Sequence, residues 1–189
     1  MRFIVLSLSV LALSGCAASI PPVEVTRFLL GQQPASGPAV IEAAEGQNAT
    51  NLEFGTYAAA VSRELIRLGY PVEGKAAYRV VLGFERTERQ VAKRSPVTIG
   101  IGGGSFGGGL GIGVGTSFGV GKSTSALMLT RLSVQMKRTS DGVVVWEGRA
   151  ETEAPANAPA AQPGLAADKL ARALFQGFPG ESGRTITVP

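Results

Sequence analysis

The six residues GVGKST, from Gly119 to Thr124, have the form of the end of a nucleotide-binding loop. A Walker A loop requires a further glycine five residues before Gly121, because that glycine opens the turn that directs backbone N–H groups at the phosphates. Thr116 stands at that position. The loop must also lead into a helix whose N-terminus faces the anion, whereas strand-like alternation follows here. We therefore expect neither a nucleotide nor any other cofactor.

Metal chemistry has few candidate ligands in this chain. The sequence contains no histidine, which excludes His-based triads and His metal sites. Magnesium beside a phosphate loop is normally held by an Asp at the end of another strand. The two aspartates are Asp141, in a predicted turn, and Asp168, in a predicted helix. We expect no metal site.

Two carboxylate pairs have spacings that could support acid–base work, Glu85 with Glu88 and Glu151 with Glu153. Each pair lies on a strand-like polar segment with basic neighbours, which is typical of a solvated surface. We therefore predict no catalytic residues and expect the protein not to be an enzyme.

The N-terminus carries the strongest chemical signal. Arg2 precedes a largely apolar run, Phe3–Leu13, which is too short to span a bilayer comfortably and has the length of a signal-peptide core. Leu-Ser-Gly-Cys at residues 13–16 matches the lipobox of bacterial lipoproteins, which implies lipidation of Cys16 after cleavage before it. The alternative is an ordinary signal peptide with a chance cysteine. Ala17, rather than Asp, favours the outer membrane by resemblance to enteric lipoprotein sorting.

Composition supports an exported, lipid-anchored chain. Cys16 is the only cysteine, so no disulfide can form within the chain. Without Arg2 the formal charge falls from +4 to +3. This mild charge suits anionic head groups and does not single out nucleic acid. We predict a signal peptide at 1–15, a lipidated tether at 16–22, one domain at 23–178 and a C-terminal tail at 179–189.

One helix is clearly indicated. Apolar residues recur at helical spacing from Thr50 to Leu68, and Thr50 or Asn51 is suited to cap its start. Gly69 stands where a left-handed C-terminal cap belongs, and Pro71 prevents continuation. A second helix is predicted from Pro163 to Phe178. The predicted inward face of the first helix comprises Phe54, Tyr57, Val61, Leu65 and Leu68.

Alternating apolar residues predict strands in VEVTRFLLG, PAVIEAAEG, AAYRVVLGFERTERQ, ALMLTRLSVQMKR and VVVWEGRAETE. Ser-Asp-Gly at residues 140–142 predicts a turn that joins the last two, and we expect Trp146 to pack between this hairpin and a helix. The residues from Glu153 to Gly164, and those after Phe178, have the composition of loops. The fold class is α+β, a mostly antiparallel β-sheet with two helices on one face.

A glycine-rich insertion, residues 97–121, separates two strands. Twelve of the 22 residues from Gly100 to Gly121 are glycine, and no residue from Ser95 to Gly121 is charged. Lys93, Arg94 and Lys122 flank it. Three interpretations remain open: a flexible hairpin extension, a segment that lies on or inserts into the membrane, or a strand that pairs with other copies or partners.

These elements together resemble a bacterial lipoprotein family, domain of unknown function 4136, over roughly Val23 to Phe178. The resemblance is carried by LEFGTYAAAVSRELIRLGY, AAYRVVLGFE and DGVVVWEGRA. It implies an envelope-anchored α+β domain and supplies no catalytic residues. We expect a non-enzymatic outer-membrane lipoprotein, anchored on the periplasmic face, that binds another envelope component or its own copies. The alternative is a subunit of an envelope transport or secretion assembly that inserts the glycine-rich hairpin into the membrane.

Overall fold

The computed structural model describes residues 21–92 and 124–189. The lipobox ending at Cys16 and the insertion 97–121 lie outside them, so the roles assigned to these segments stay predictions. The elements in chain order are β1 Val23–Leu29, β2 Ala39–Ala43, α1 Leu52–Arg67, β3 Tyr78–Ala92, β4 Thr124–Arg138, β5 Val144–Pro155, a 3₁₀ turn Pro159–Ala161, α2 Pro163–Phe175 and β6 Thr185–Val188.

The strands form one six-stranded sheet in the order β2-β3-β4-β5-β1-β6. All neighbours are antiparallel except β2 and β3, which are parallel and joined through α1. The predicted α+β class is confirmed. The loop interpretation of the tail is wrong for Thr185–Val188, because β6 pairs with β1 there. It is also wrong for Glu153–Pro155, which continue β5.

One face of the sheet carries the core. Side chains of successive strand residues point to opposite faces, and α1 and α2 cover one of these two faces. The opposite face carries mostly polar and charged side chains, several of them in ion pairs. The buried residues on the helix-covered face include Val23, Val25, Val80, Leu82, Leu132, Val134, Met136 and Ala150.

Helix α1 begins and ends through local hydrogen bonds. The N-cap is Asn51, whose Oδ1 accepts from the Glu53 backbone N–H at 2.9 Å. Thr50, the other predicted cap, donates instead to Asn48. Gly69 has φ +86°, and Tyr70 N–H donates back to the Leu65 carbonyl at 2.9 Å. This is the left-handed termination that the sequence predicted.

Helix α2 ends at Phe175, three residues earlier than predicted. Gly177 has φ +67°, and the chain turns away there. The buried guanidinium of Arg27 closes the helix end, since its Nε donates to the Leu174 carbonyl at 2.9 Å and its Nη2 to the Ala173 carbonyl at 2.8 Å. A cation at a helix C-terminus complements the helix dipole. Burial lowers the pKa of Arg27.

Trp146 lies between the β4–β5 hairpin and α2, as predicted. Its ring stacks on Phe175 with centroids 5.4 Å apart, and its Nε1 donates to the Pro179 carbonyl at 2.9 Å. Gly148 makes room for it, because a Cβ there would lie 2.4 Å from the indole ring. The ring therefore joins β5 to α2 and to the turn that follows α2.

None of the helices in the described ranges has the length and apolar character needed to cross a membrane.

Candidate functional site

The structure separates the first predicted carboxylate pair. Glu85 pairs with Arg131 in the β3–β4 register, whereas Glu88 pairs with Met128, three positions further along. An odd separation places the two side chains on opposite faces of the strand. Glu85 contacts Arg131 at 3.6 Å, and Glu88 accepts from Gln90 Nε2 at 3.1 Å.

The second carboxylate pair shares a face but not a partner. Glu151 binds Arg131 at 2.5 Å, and Glu153 binds Arg89 on β3. The Glu151 hydrogen bond raises the pKa of Arg131. Both carboxylates therefore lie in an arginine-paired surface, as the solvated-surface interpretation predicted. In residues 21–92 and 124–189, no group of three or more Asp, Glu, His or Cys residues is placed to hold a metal ion.

The strand register brings distant parts of the chain to one end of the sheet. Val23, where β1 begins, pairs with Thr152, which pairs with Thr130, which pairs with Arg86. Val23 also pairs with Val188 near the C-terminus of the chain. We call this end, with Pro21, Pro155, Pro189 and the last pair of the β3–β4 hairpin, the open end. The closed end is the opposite one, which carries the turn at residues 139–142.

The β3–β4 hairpin projects past β1 and β6 at the open end, and its last three pairs also lie past the end of β5, since Pro155 pairs with Leu127 opposite Arg89. Beyond Arg86, β3 continues for six residues to Ala92, which pairs with Thr124. At about 3.3 Å per residue this extension is about 20 Å long. The glycine-rich insertion lies in the sequence between Ala92 and Thr124, the ends of these two strands at the open end.

A groove of about 990 Å³ lies beside this end. It follows one side of α2, from Leu165 in the first turn to Gln176 just after the last. Its other wall consists of the end of β5, the 3₁₀ turn, Pro21 before β1, and Val188 and Pro189. Leu165 is 54% exposed. The apolar lining includes Pro21, Pro155, Pro159, Leu165, Val188 and Pro189.

The groove also carries four charged residues. The carboxylates of Glu153 and Asp168 are bound by Arg89 and Arg63, which approach from β3 and α1. Lys169 and Arg172 form no ion pair within the described part of the chain.

The ammonium group of Lys169 also lacks a hydrogen-bond partner in the part of the chain that the structure describes. Its Nζ is buried and has no hydrogen-bond partner among the described residues, and burial lowers its pKa. An ammonium group in that position gains from any anion that reaches it.

A second buried polar group lies under the sheet near the open end. Arg86 donates from Nη1 to Glu53 at 3.0 Å and from Nη2 to the Ala161 carbonyl at 2.6 Å, joining β3 to α1 and to the 3₁₀ turn. Tyr57 stacks on Phe84 with centroids 4.4 Å apart. Its hydroxyl is buried without a partner in the described ranges, and burial raises its pKa to about 12.

The uncovered face of the sheet holds a separate shallow cavity of about 680 Å³ above Gly83, Ser133 and Arg149. Arg149 is paired with Glu147 at 2.6 Å, and the Ser133 hydroxyl donates to the Gly83 carbonyl at 3.2 Å. Arg149 and Ser133 are thus already paired, in contrast to the cations of the groove.

Comparison with known proteins gives a family for this chain. The family model described as Domain of unknown function (DUF4136) matches residues 32–180. The chain belongs to this family. An uncharacterized protein of Zymomonas mobilis is 32% identical over an alignment that covers 91% of this chain and 84% of that protein. The predicted resemblance to the DUF4136 family is confirmed, while neither comparison addresses lipidation of Cys16.

Solved structures resemble the DUF4136 chain only distantly. Two crystal structures of a PelC dodecamer from Paraburkholderia phytofirmans, one of them a point variant, have TM-scores of 0.46 and 0.44 at 10% and 12% identity. They cover 85% and 81% of this chain and 99% and 94% of their own. A PDZ domain protein from Parabacteroides distasonis has a TM-score of 0.47 at 8% identity, covering 89% of this chain and 39% of its own. Similarity at this level does not transfer an assembly state or a partner.

The sequence patterns do not predict the groove. The Pro/Ala-rich segment that forms one wall has the composition of a loop. The available signal was a second stripe on α2, since Leu165, Lys169, Arg172 and Gln176 recur at helical spacing beside the buried face. A lysine in the middle of such a stripe indicates a surface that meets something other than the core.

Proposed function

We propose that this DUF4136 protein is a non-enzymatic lipoprotein of the bacterial envelope. Cys16 carries the lipid, and the α+β domain stands on the periplasmic face of the outer membrane, where it binds other envelope components or its own copies. The observation that carries the proposal is the position of the lipobox. It ends five residues before Pro21, which lies at the open end beside the groove.

The length of the chain between Cys16 and the domain is compatible with an orientation in which the open end faces the membrane. Val23 is seven residues after Cys16, and this stretch spans at most about 25 Å when fully extended. The hairpin projects about 20 Å past the level of Val23. A domain anchored through Cys16 is therefore close enough to the membrane for the end of its hairpin to reach the surface, with the closed end directed away from it.

A non-enzymatic role is supported by the available side chains. The chain has no histidine, and its one thiol lies in the lipobox. Three of the four carboxylates that could form acid–base pairs, Glu85, Glu151 and Glu153, contact arginines instead.

Lipidation is tested by labelling the protein in growing cells with a radioactive fatty acid. We expect label in the wild type and none in Cys16→Ser, which also keeps its signal peptide. Ser19→Ala, three residues further on, is the control and should be labelled like the wild type. Label retained by Cys16→Ser would overturn the proposal at its base.

Sorting is tested separately by membrane fractionation. Ala17→Asp is expected to move the lipoprotein from the outer to the inner membrane, while Ala18→Asp leaves it in place. Equal distribution of the two variants would contradict the outer-membrane assignment and leave lipidation unaffected.

A second candidate function is a membrane-inserting subunit of an envelope transport or secretion assembly. The observation that favours it is the projection of the β3–β4 hairpin from the end that the tether places at the membrane. Residues 98–121 carry no charge and are flanked by Lys93, Arg94 and Lys122. Protection of this segment from protease in liposomes would support insertion, and full cleavage would exclude it.

A further inference from the structure

The groove beside α2 combines two chemical properties that occur together in few ligands. Its walls are largely apolar, and its two charged side chains that form no ion pair within the described residues, Lys169 and Arg172, are both positive. An apolar ligand alone would leave Lys169 and Arg172 unmet, and a small anion alone would leave the apolar walls exposed to water. The matching ligand is an amphiphile with an anionic head and an apolar chain.

The arrangement of the carboxylates strengthens the charge argument. Glu153 and Asp168 would repel an anion if they were free, but Arg89 and Arg63 bind them from outside the groove. Those two arginines lie on β3 and α1, which contribute no residue to the lining of the groove. The positive character of Lys169 and Arg172 is therefore not cancelled within the described structure.

The groove also lies close to the residue that the proposed lipid anchor occupies. Pro21 forms part of its wall, and Cys16 is five residues away, at most about 18 Å of extended chain. The volume of about 990 Å³ is in the range of pockets that enclose a small-molecule ligand. The nearness of the groove to the membrane rests on the proposed function. The apolar and positively charged lining of the groove is independent of it.

We propose that this groove binds an anionic phospholipid of the membrane that carries the anchor. Lys169 and Arg172 hold the phosphate of the head group, and an acyl chain lies along Leu165, Pro155 and Val188. The domain is thereby held against the bilayer at a second point. One covalent anchor and one bound lipid would fix the open end toward the membrane, which a single covalent anchor does not do.

Photo-crosslinking from the lipid side tests this directly. Full-length lipidated protein is reconstituted in vesicles containing phosphatidylglycerol with a photoactivatable group in its acyl chain, irradiated and mapped by peptide mass spectrometry. We expect crosslinks in α2 and in residues 155–160. Lys169→Gln with Arg172→Gln should lower their yield about tenfold. Lys75→Gln, on an exposed lysine outside the groove, should leave the yield unchanged.

The acyl-chain contact has its own matched pair of variants. Leu165→Ser removes a half-exposed apolar side chain from the groove. Ile66→Ser removes an apolar side chain of similar exposure, 56%, from α1. Only the first should reduce crosslinking. Equal yields from phosphatidylcholine and phosphatidylglycerol probes, or full competition by inorganic phosphate, would overturn the proposal, the latter indicating a simple anion site. A groove filled by the chain's own N-terminal residues would give no crosslinks and would overturn it as well.

The experiment also separates this inference from the proposed function. Cys16→Ser protein produced without residues 1–15, and so with neither lipid nor signal peptide, is added to the same vesicles. Crosslinking retained in the groove supports lipid binding there even if labelling shows that Cys16 carries no lipid. Loss of groove crosslinking from a fully lipidated protein overturns the inference and leaves the anchor in place.

Discussion

The two ends of the sheet differ in how completely their polar groups are paired. At the closed end, the Tyr70 hydroxyl donates to the Pro34 carbonyl at 2.5 Å, and Trp146 donates to Pro179. The Tyr70 ring meets Tyr78 and Phe178 edge-on, each at 5.8 Å between centroids. In the described part of the chain, no buried side-chain nitrogen or oxygen at this end lacks a hydrogen-bond partner.

The open end contains the exceptions. The buried side-chain atoms that lack a partner in the described ranges are Tyr57 Oη, Arg86 Nε and Lys169 Nζ. The first two lie under the sheet near the level of Val23, and the third belongs to a residue that lines the groove. Buried polar groups without partners are costly, and proteins retain few of them. We therefore expect substitutions at the closed end to affect stability most, whereas the proposed lipid site lies at the open end.

The closed end should give the largest loss of stability. Trp146→Ala is expected to lower the free energy of unfolding by about 3–5 kcal/mol, because it leaves a cavity beside Phe175 and removes the donor to Pro179. Urea unfolding measures this. Phe28→Ala, on the uncovered face and 45% exposed, should cost less than about 1 kcal/mol. Similar losses of unfolding free energy in both variants would show that Trp146 contributes no more to stability than a half-exposed aromatic residue.

Tyr57 should make the open end sensitive to alkali. Its folded pKa of about 12 exceeds the ordinary value of 10, so its stabilising contribution is full below pH 10 and is lost as pH rises through 12. Two pKa units correspond to at most about 3 kcal/mol. Tyr57→Phe should remove this loss and leave stability near neutral pH unchanged or slightly higher, since the hydroxyl has no partner among the described residues. An unchanged pH dependence between 10 and 12 would contradict this.

A smaller effect is expected where α1 ends at the closed end. Gly69→Ala should cost about 1–2 kcal/mol, because φ +86° is unfavourable for a residue with a Cβ. Gly74→Ala is the control, since that glycine has no left-handed conformation and nothing within 4 Å of an added Cβ. Thermal unfolding of the two variants should separate them, and equal midpoints would argue against the left-handed termination.

The smallest stability effect is expected in the groove. Leu165→Ser should change the free energy of unfolding by no more than about 0.5 kcal/mol, as for Ile66→Ser, because both side chains are half exposed. The same substitution reduces lipid crosslinking under the proposal above. A loss of about 2 kcal/mol or more in the free energy of unfolding would show that Leu165 stabilises the fold. It would then contradict a role for Leu165 as a free binding surface.

Local patterns predicted the elements that bury one face. The 3.6-residue spacing of α1 and the alternation in β3, β4 and β5 follow from which side chains must leave water, and both are visible in the sequence. Strand β6 was missed because TITV is short and its partner, β1, lies about 160 residues away. The parallel β2–β3 pair likewise depends on the path of α1.

The groove was unpredictable for a different reason. It forms where α2 and the end of β5 meet Pro21, Val188 and Pro189. These residues are far apart in the sequence, so no local pattern predicts that they form one groove. Only Lys169 gave a local indication, as a charge inside a stripe of helical spacing next to the buried face. Pairing of Glu153 with Arg89 and of Asp168 with Arg63 could be seen only once β3, β5 and the two helices were placed together.

The orientation of the domain on the membrane tests the central claim most directly. The hairpin and the turn at residues 139–142 are about 45 Å apart along β4, from Thr124 to Arg138. In the lipidated protein Cys16 is blocked, so Val91→Cys or Asp141→Cys offers a single site for a fluorophore. Quenching by lipids labelled at the head group then reports distance from the bilayer. We predict strong quenching at residue 91 and almost none at residue 141. Equal quenching at the two sites, or stronger quenching at residue 141, would contradict the account.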